Sequence, residues 1–410
     1  MNTRKPIAKR RQCSYCADAQ INHFFSFLGN FFGTPFDDHV SRTAHRAPKF
    51  LKNFVDWLSV SLLQVLAFLK IAKFSGNIEK VKTFRSRVIW EEAKRRGIKM
   101  EQVILFGRPL DYYRALRSPA RPAGELGEVG RAHWIYFESL PIPPESLDMR
   151  RNWDDKFILK GEFDKGGIPV PRHLKFPLFY SQKNLEEIFS KLEKPVIVKP
   201  KVGSRGRHTI TNINSLQKFR EGIAIARQIS PYLVVEEHLL GDVCRATLVD
   251  GMLAGFYRGH APSVLGDGKS TIRELIEEKD KNRPERVEKI RVGEELYGHL
   301  ARSGYQIGDI LPEGKSITLS YHFGRLFGGT TREMIDELHP SFFPIFEKAA
   351  QTVDLAVVGF DSIIPDPTEP ANGQKWGIIE CNTLPFIDLH YDALEGKPRN
   401  IAGMIWDLWN

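Results

Sequence analysis

Hydrophobic and polar residues recur with two different periods along the chain. Residues 86–100 (SRVIWEEAKRRGIKM) place apolar side chains at helical spacing. Residues 101–109 (EQVILFGRP) and 133–141 (HWIYFESLP) instead have the composition and flanking turn residues of short strands. From Asn152 to the C-terminus, helix and strand patterns alternate with turn signals between them. The pattern favours layers of the α/β or α+β type over an all-helical or all-strand fold.

One apolar stretch, residues 53–69 (NFVDWLSVSLLQVLAFL), raises the question of a membrane segment. It is 17 residues long and contains Asp56, so it is short and polar for a span. Its apolar residues recur at helical spacing, at Val55, Leu58, Leu62, Leu66 and Leu69. We therefore predict a helix that packs on the body of the protein, with peripheral membrane attachment through this helix as the alternative.

The length of 410 residues predicts more than one folding unit. Changes in pattern divide the chain into a basic, largely helical extension (1–80), a small α/β unit (81–150) and a main domain (151–410). A Pro/Gly-rich connection at 117–130 lies within the small unit.

Charge is distributed unevenly along this globular sequence. Hydrophobic residues make up 42% of the chain and charged residues 27%, a composition that excludes disorder of the whole. Residues 1–100 hold 19 Lys and Arg against 7 Asp and Glu, whereas the remaining residues carry a net charge of −3. The basicity therefore predicts an anionic partner, such as a membrane surface, for the N-terminal segment only. No specific nucleic-acid partner is predicted.

Cysteine usage and the N-terminal residues bear on the compartment. Four cysteines do not make a disulfide framework in a chain of this size, and polar residues follow the basic N-terminus where a signal peptide would be apolar. We expect a cytoplasmic protein, at most peripherally associated with membrane. Cys13 and Cys16 form a CxxC pair, but neither a second CxxC nor a close His pair follows, so we do not predict a zinc site. Cys244 and Cys381 lie in apolar runs and are predicted to be core residues.

A glycine-rich loop follows a strand pattern in residues 194–210 (KPVIVKPKVGSRGRHTI). Lys199 ends the strand, and Gly203 and Gly206 leave backbone N–H groups free to approach phosphate oxygens. A nucleotide triphosphate suits this chemistry, although a hairpin loop between two strands is the alternative.

A second glycine-rich string, GDGKST at 266–271, imitates a phosphate-binding P-loop. A P-loop requires a further glycine where this chain has Ser263, so the match fails. We predict instead a turn that leads into a helix, with Ser270 or Thr271 near its N-terminus and Glu274 in its first turn.

Oxygen-bearing side chains end two predicted strands near the C-terminus. Asp361 lies in VVGFDSIIPD, and Glu380 and Asn382 lie two residues apart in WGIIECNTLP, on the same face of a strand. Carboxylate and amide oxygens without His or Cys suit Mg²⁺ shared with phosphate oxygens. Acidic residues that simply punctuate strand ends are the alternative.

Together these motifs resemble the ATP-grasp ligases, and most closely the ATP-grasp part of cyanophycin synthetase. The resemblance rests on the order of the segments around Lys156 and Lys199, VVEEHLLG, GDGKSTIRELI, FGGTTREMIDELHP, GFDSII and IIECNTLPFIDLH. It covers residues 150–410 and implies an α+β ATP-grasp fold, in which two α/β lobes clasp ATP. A small α/β unit and a helical N-terminal extension would precede it.

The resemblance also implies roles for individual residues. Lys156 and Lys199 would hold the α and β phosphates of ATP, and Gly203, Ser204, Arg205 and Gly206 would belong to a mobile phosphate lid. The hinge strand that binds adenine would include Glu236, Glu237 and Leu239, with Asp242 next to the usual ribose contact. One or two Mg²⁺ ions would be bound by Asp361, Glu380 and Asn382. Arg258 resembles the arginine near the transferred phosphate, displaced by one residue.

The reaction that the resemblance implies is the ATP-dependent joining of a carboxylate to an amine through an acyl phosphate. The substrate expected is an amino acid or short peptide, and a dimer or tetramer fits the family. An ATP-grasp kinase, or a docking protein with a regulatory ATP site, is the alternative. No catalytic base is assigned to His208, His260, His299, His322 or His390, although His390 is considered for the amine site.

Overall fold

The computed structural model describes residues 13–16, 20–46, 49–117, 133–143, 153–203, 206–320 and 322–409. The predicted Ser204 and Arg205 contacts lie outside these residues. The helices are α1 (His23–Arg46), α2 (Lys49–Phe68), α3 (Phe84–Arg95), α4 (Lys156–Lys165), α5 (Gln182–Ser190), α6 (Leu216–Ala226), α7 (Ile272–Lys281), α8 (Glu294–Arg302), α9 (Phe343–Val353), α10 (Asp388–Tyr391) and α11 (Ile401–Asp407).

The strands are spread along the chain between the helices. They are β1 (Ala72–Ser75), β2 (Met100–Leu105), β3 (Arg108–Arg117), β4 (His133–Glu138), β5 (His173–Phe176), β6 (Val196–Pro200), β7 (Ile210–Ile213), β8 (Leu233–Glu237), β9 (Asp242–Val249), β10 (Met252–Gly259), β11 (Ser263–Leu265), β12 (Ser316–Thr318), β13 (Thr331–Glu333), β14 (Val357–Ile364), β15 (Gly377–Asn382) and β16 (Glu395–Gly396).

The chain forms two compact units, each made of separate stretches of sequence. Unit 1 comprises Met1–Phe36, Pro171–His238 and Ala261–Gly329. Unit 2 comprises Asp37–Val170, Leu239–His260 and Thr330–Asn410.

Unit 2 is built on two sheets. One has the strand order β15-β14-β9-β10-β13-β16, and the other β1-β2-β3-β4. In β14, Val358, Phe360 and Ile364 point to a core shared with α4 and α9, whereas Asp361, one position out of step, lies on the opposite face. Period-two alternation thus separates this core from the face of the sheet that carries Asp361.

Unit 1 contains a sheet of order β5-β8-β6-β7, covered by α5 and α6. Its core includes Val196 and Val198 of β6 and Val235 of β8. A second cluster of apolar side chains joins α7 and α8 to the β11-β12 pair.

The GDGKST string precedes a helix, as predicted. Thr271 caps α7, since its hydroxyl accepts from the Glu274 N–H and the Glu274 carboxylate accepts from the Thr271 N–H. Asp267 accepts hydrogen bonds from the N–H groups of Lys269 and Ser270, which closes the preceding turn. The string therefore forms a turn and the capped N-terminus of α7.

The helix predicted at 53–69 exists as part of α2, but its apolar face is not packed as expected. Leu58, Leu62 and Leu69 are 50%, 58% and 56% exposed. The prediction that this face packs on the body is therefore wrong for these three residues. Among the residues that the structure describes, none of the helices is long and apolar enough to cross a membrane.

Candidate active site

The oxygen ligands predicted from the sequence lie side by side in unit 2. Strand β14 pairs antiparallel with β15, and the register places Asp361 opposite Glu380 and Gly359 opposite Asn382. Directly opposed residues share one face of a sheet, so the three side chains converge there. The Asn382 Nδ2 atom lies 3.4 Å from Asp361 Oδ2.

Arg245 of β9 holds the Asp361 carboxylate from the other neighbouring strand. Its Nε and Nη2 atoms donate to the two carboxylate oxygens at 2.5 and 2.7 Å, a bidentate pair. Burial disfavours the charge of the guanidinium, but Asp361 outweighs it and raises the pKa of Arg245 above its ordinary value. The pair fixes the orientation of the carboxylate.

Lys156, the first residue of α4, reaches the same group of side chains. Its Nζ atom lies 3.7 Å from Glu380 Oε1, and its side chain is 8% exposed. The helix begins there because Asp155 accepts hydrogen bonds from the N–H groups of Phe157 and Ile158. Lys160, one turn later, donates to the Ile379 carbonyl of β15 at 2.8 Å and so ties the helix to the strand.

Arg258 and Asp242 do not join this cluster. In β10, Tyr257 pairs with Arg245, whereas Arg258 pairs with Cys244, whose side chain belongs to the core face of the sheet. Arg258 therefore points to the face opposite Asp361, and it forms an ion pair with Asp242. The expectation that Arg258 lies near the transferred phosphate is not supported by this geometry, and Arg245 is the arginine in contact with Asp361.

Lys199 lies in unit 1 and forms a buried ion pair. Its Nζ atom is 2.7 Å from Glu236 Oε2, and the two side chains are 8% and 1% exposed. They are placed by the antiparallel pairing of β6 with β8, where Ile197 opposes Glu236 and Lys199 opposes Val234. The next residue, Glu237, is buried, and its carboxylate lies 3.8 Å from Arg172.

The glycine loop follows β6 in the same unit. Gly203 and Gly206 have φ angles of +145° and +63°, conformations that residues with a side chain rarely adopt. The N–H of Lys201 donates to the Tyr232 carbonyl and anchors the start of the loop. Leu239, a predicted hinge residue, is buried at the start of a stretch of unit 2.

His390 is not available to an amine substrate. It is fully buried between Thr247, whose hydroxyl lies 2.8 Å from Nε2, and Glu333, which contacts Nδ1. A Cβ atom on Gly255 would lie 2.6 Å from the same ring, so the histidine is packed tightly against β10. It is a core residue.

The chain resembles larger proteins over part of their length. No protein-family model matches it. Over 261 residues, 62% of this chain, it is 30% identical to cyanophycin synthetase of Trichormus variabilis, and the match covers 29% of that protein. It is 26% identical over 264 residues to the glutathione biosynthesis bifunctional protein GshAB of Clostridium perfringens, covering 34% of it. The chain thus spans only about a third of the length of these curated relatives.

A solved structure decides the fold. The bifunctional glutathione synthetase from Pasteurella multocida matches with a TM-score of 0.55 and 22% identity, over 80% of this chain and 44% of that chain. The chain has the ATP-grasp fold. The predicted α+β ATP-grasp class and the resemblance to ATP-grasp ligases like cyanophycin synthetase are therefore confirmed. The parts that individual residues play in this ATP-grasp chain remain predictions.

Proposed function

We propose that this protein is an ATP-dependent carboxylate–amine ligase that forms an amide bond through an acyl phosphate, with an amino acid or short peptide as substrate. The observation that carries the proposal is the cluster of Lys156, Asp361, Glu380 and Asn382 in unit 2. A lysine beside two carboxylates and an amide is a set suited to a metal–phosphate complex rather than to a hydrophobic ligand.

The donor atoms of this cluster fit Mg²⁺. Asp361, Glu380 and Asn382 offer only oxygen ligands, the chemistry that a hard cation prefers. The Asp361 and Glu380 side chains are 16% and 25% exposed, so their oxygens are accessible to solvent. When bound, the ion would neutralise negative charge on the phosphate oxygens of ATP. Arg245 would keep the Asp361 carboxylate oriented for that purpose.

The remaining residues are proposed to bind ATP. Lys156 and Lys199 would contact the α and β phosphates, and the Gly203–Gly206 loop would donate backbone N–H groups to phosphate oxygens. Backbone groups of the Glu236–Leu239 segment would bind adenine. These roles follow the family resemblance, and the buried positions of Lys199 and Glu236 support it because such positions fix side-chain geometry.

The chemistry requires positioning rather than a protein nucleophile. A substrate carboxylate oxygen attacks the γ-phosphorus and ADP leaves, which gives an acyl phosphate. An amine nitrogen then attacks the acyl carbon, loses a proton, and expels inorganic phosphate to leave the amide. Cys244 and Cys381 are unsuited to nucleophilic attack, because burial raises the pKa of both thiols.

The test is the requirement for two substrates. Purified full-length protein is incubated with ATP, Mg²⁺ and a panel of amino acids and dipeptides, offered singly and in pairs. ADP release is measured and the products are identified by mass spectrometry. We expect net turnover and a product with the mass of two substrate molecules less water, and no net turnover when every amine in the mixture is blocked by acetylation. A stable phosphorylated product from one substrate, with no need for an amine, would instead identify a kinase.

Two lysines of the same helix supply a matched comparison for the site. Lys156→Met removes the amino group next to Glu380, whereas Lys165→Met removes one from a side chain that is 75% exposed at the other end of α4. We expect the first variant to lose about 100-fold or more in turnover, the effect of losing one charge-stabilising contact. The second should match the wild type. Equal turnover in both variants would show that Lys156 does not belong to the proposed ATP site.

A further inference from the structure

Two cysteines and two histidines of unit 1 meet at one point. The Sγ atoms of Cys13 and Cys16 and ring nitrogens of His23 and His208 all lie within 4.8 Å of one another. The CxxC pair is evident in the sequence, whereas the two histidines that complete the group are far apart in it. His23 is only seven residues from Cys16, whereas His208 is 192 residues away and is brought in by the fold.

The spacing of these atoms is that of ligands around a tetrahedral ion. Zn–S bonds of about 2.3 Å and Zn–N bonds of about 2.0–2.1 Å would separate a sulfur from a nitrogen by about 3.5 Å. The Cys16 Sγ atom lies 3.1 Å from His23 Nε2 and 3.7 Å from His208 Nε2, and Cys13 Sγ lies 3.7 Å from His208 Nε2. For these three sulfur–nitrogen pairs, shifts of a few tenths of an ångström would give the separations of a tetrahedral zinc site.

The N-terminal ligands are held by local structure. A 3₁₀ turn covers Ser14–Cys16, and Gln20 accepts from the Cys13 N–H at 2.8 Å while donating to the Cys13 carbonyl at 2.9 Å. Helix α1 then begins at His23. Cys13 is therefore tied to Gln20, close to the first histidine.

His208 is oriented as a metal ligand. Its Nδ1 atom lies 2.8 Å from the Ile225 carbonyl, an interaction that places the proton on Nδ1 and leaves the Nε2 lone pair directed at the sulfurs. The ring is fully buried, and the residue adopts a φ of +50°, which is uncommon for a residue other than glycine. Its backbone N–H donates to Tyr15 within the CxxC turn at 2.9 Å.

We propose that Cys13, Cys16, His23 and His208 bind a zinc ion. Thiolate and imidazole ligands favour zinc over the hard cation proposed for the Asp361 cluster. Four protein ligands fill a tetrahedral shell, so the site is structural rather than catalytic. This inference is independent of the proposed ligase activity, since it uses no residue of that site.

The ion would connect distant parts of unit 1. His208 lies two residues after Gly206, and Arg207 between them donates to the Cys16 carbonyl at 3.3 Å. Zinc would thus link the N-terminal residues to the end of the glycine loop. The N-terminal segment that carries Cys13, Cys16 and His23 would then have a structural role in unit 1.

The experiment is a measurement of bound metal on the full chain, purified under reducing conditions without a metal-affinity tag. Inductively coupled plasma mass spectrometry should find about one zinc per chain in the wild type. Cys13→Ser and His23→Asn, which alter half-buried ligands, should reduce zinc to background. His133→Asn, which changes an exposed histidine at the start of β4, should retain it.

Cobalt provides a second readout that does not depend on how the protein was purified. After zinc is removed, titration with Co²⁺ alone should produce the visible absorption bands of a tetrahedral sulfur–nitrogen site. Loss of a hydrogen bond to a metal ligand typically lowers metal affinity roughly 10- to 100-fold. Cys13→Ser removes a ligand itself, so its affinity for Co²⁺ should fall by more than that. Circular dichroism establishes that each variant compared is folded.

Two results would overturn the proposal. One is a folded, reduced wild type that lacks zinc and binds Co²⁺ no more tightly than Cys13→Ser. The other is a disulfide between Cys13 and Cys16 in the cell, detected by mass spectrometry of protein whose free thiols are alkylated at lysis.

Discussion

Removing the amino group of Lys199 should have two separable effects, one on stability and one on turnover. Lys199→Met leaves the Glu236 carboxylate, which is 1% exposed, without the ammonium 2.7 Å away. Loss of one member of a buried ion pair typically costs about 3–5 kcal/mol. For a unit of this size, 3 kcal/mol corresponds to a decrease in melting temperature of about 6–12 °C.

The double variant distinguishes the two effects. Lys199→Met with Glu236→Gln removes both charges, so most of the lost stability should return. Turnover should not return, because the proposed phosphate contact is still missing, and we expect it to stay about 100-fold below the wild type. Scanning calorimetry gives the melting temperature of each variant, and ADP release under the same buffer gives its turnover.

An exposed ion pair of the same length serves as the control. Lys191 and Glu187 lie 2.7 Å apart on α5 and its C-terminal cap, with side chains 54% and 52% exposed. Lys191→Met should change the melting temperature little, because solvent screens such pairs. If Lys199→Met has the same melting temperature as Lys191→Met, the Lys199–Glu236 pair does not stabilise the fold as a buried ion pair should. If the double variant recovers turnover together with stability, Lys199 makes no contact with ATP.

Three further outcomes are expected. Asp361→Asn should abolish detectable ADP release, whereas Asp366→Asn, in the exposed turn after the same strand, should leave it unchanged; similar losses in both would argue against a metal role. Burial would raise the pKa of Asp111, but hydrogen bonds from Ser139 and Ser86 outweigh it and lower the pKa. Its stabilisation is thus present above the ordinary carboxyl pKa and lost as pH falls through the folded value, so the destabilisation by Asp111→Asn at pH 7 should shrink below about pH 4 in thermal melts. Removing zinc with a chelator should lower the melting temperature of the wild type, but not of a variant already lacking one of the four ligands.

Local patterns in the sequence were enough to predict several parts of the fold and site. The alternation of Glu380, Cys381 and Asn382 placed two oxygens on one face of β15, and the Thr271–Glu274 spacing predicted the start of α7. Both depend on residues a few positions apart, whose geometry is set by strand and helix periods. The predicted division at residues 80 and 150 stays a prediction.

Features that depend on tertiary structure could not be predicted in this way. His208 reaches Cys16 only because the end of the glycine loop lies next to residues 13–16. The opposite orientations of Arg245 and Arg258 follow from the pairing of β9 with β10, which sequence spacing did not fix. The exposed face of α2 was misjudged because helical periodicity identifies an apolar stripe without identifying what it contacts.

The position of Asp361, one residue out of step with the core side chains of β14, limits how this protein can vary in evolution. A single inserted or deleted residue before it would exchange the two faces of the strand, placing the carboxylate in the core and Phe360 or Ser362 beside Arg245. Length changes should therefore be tolerated in the exposed turn between β14 and β15 and excluded from the strand itself. A comparison of natural variants of this protein would reveal such a contrast directly.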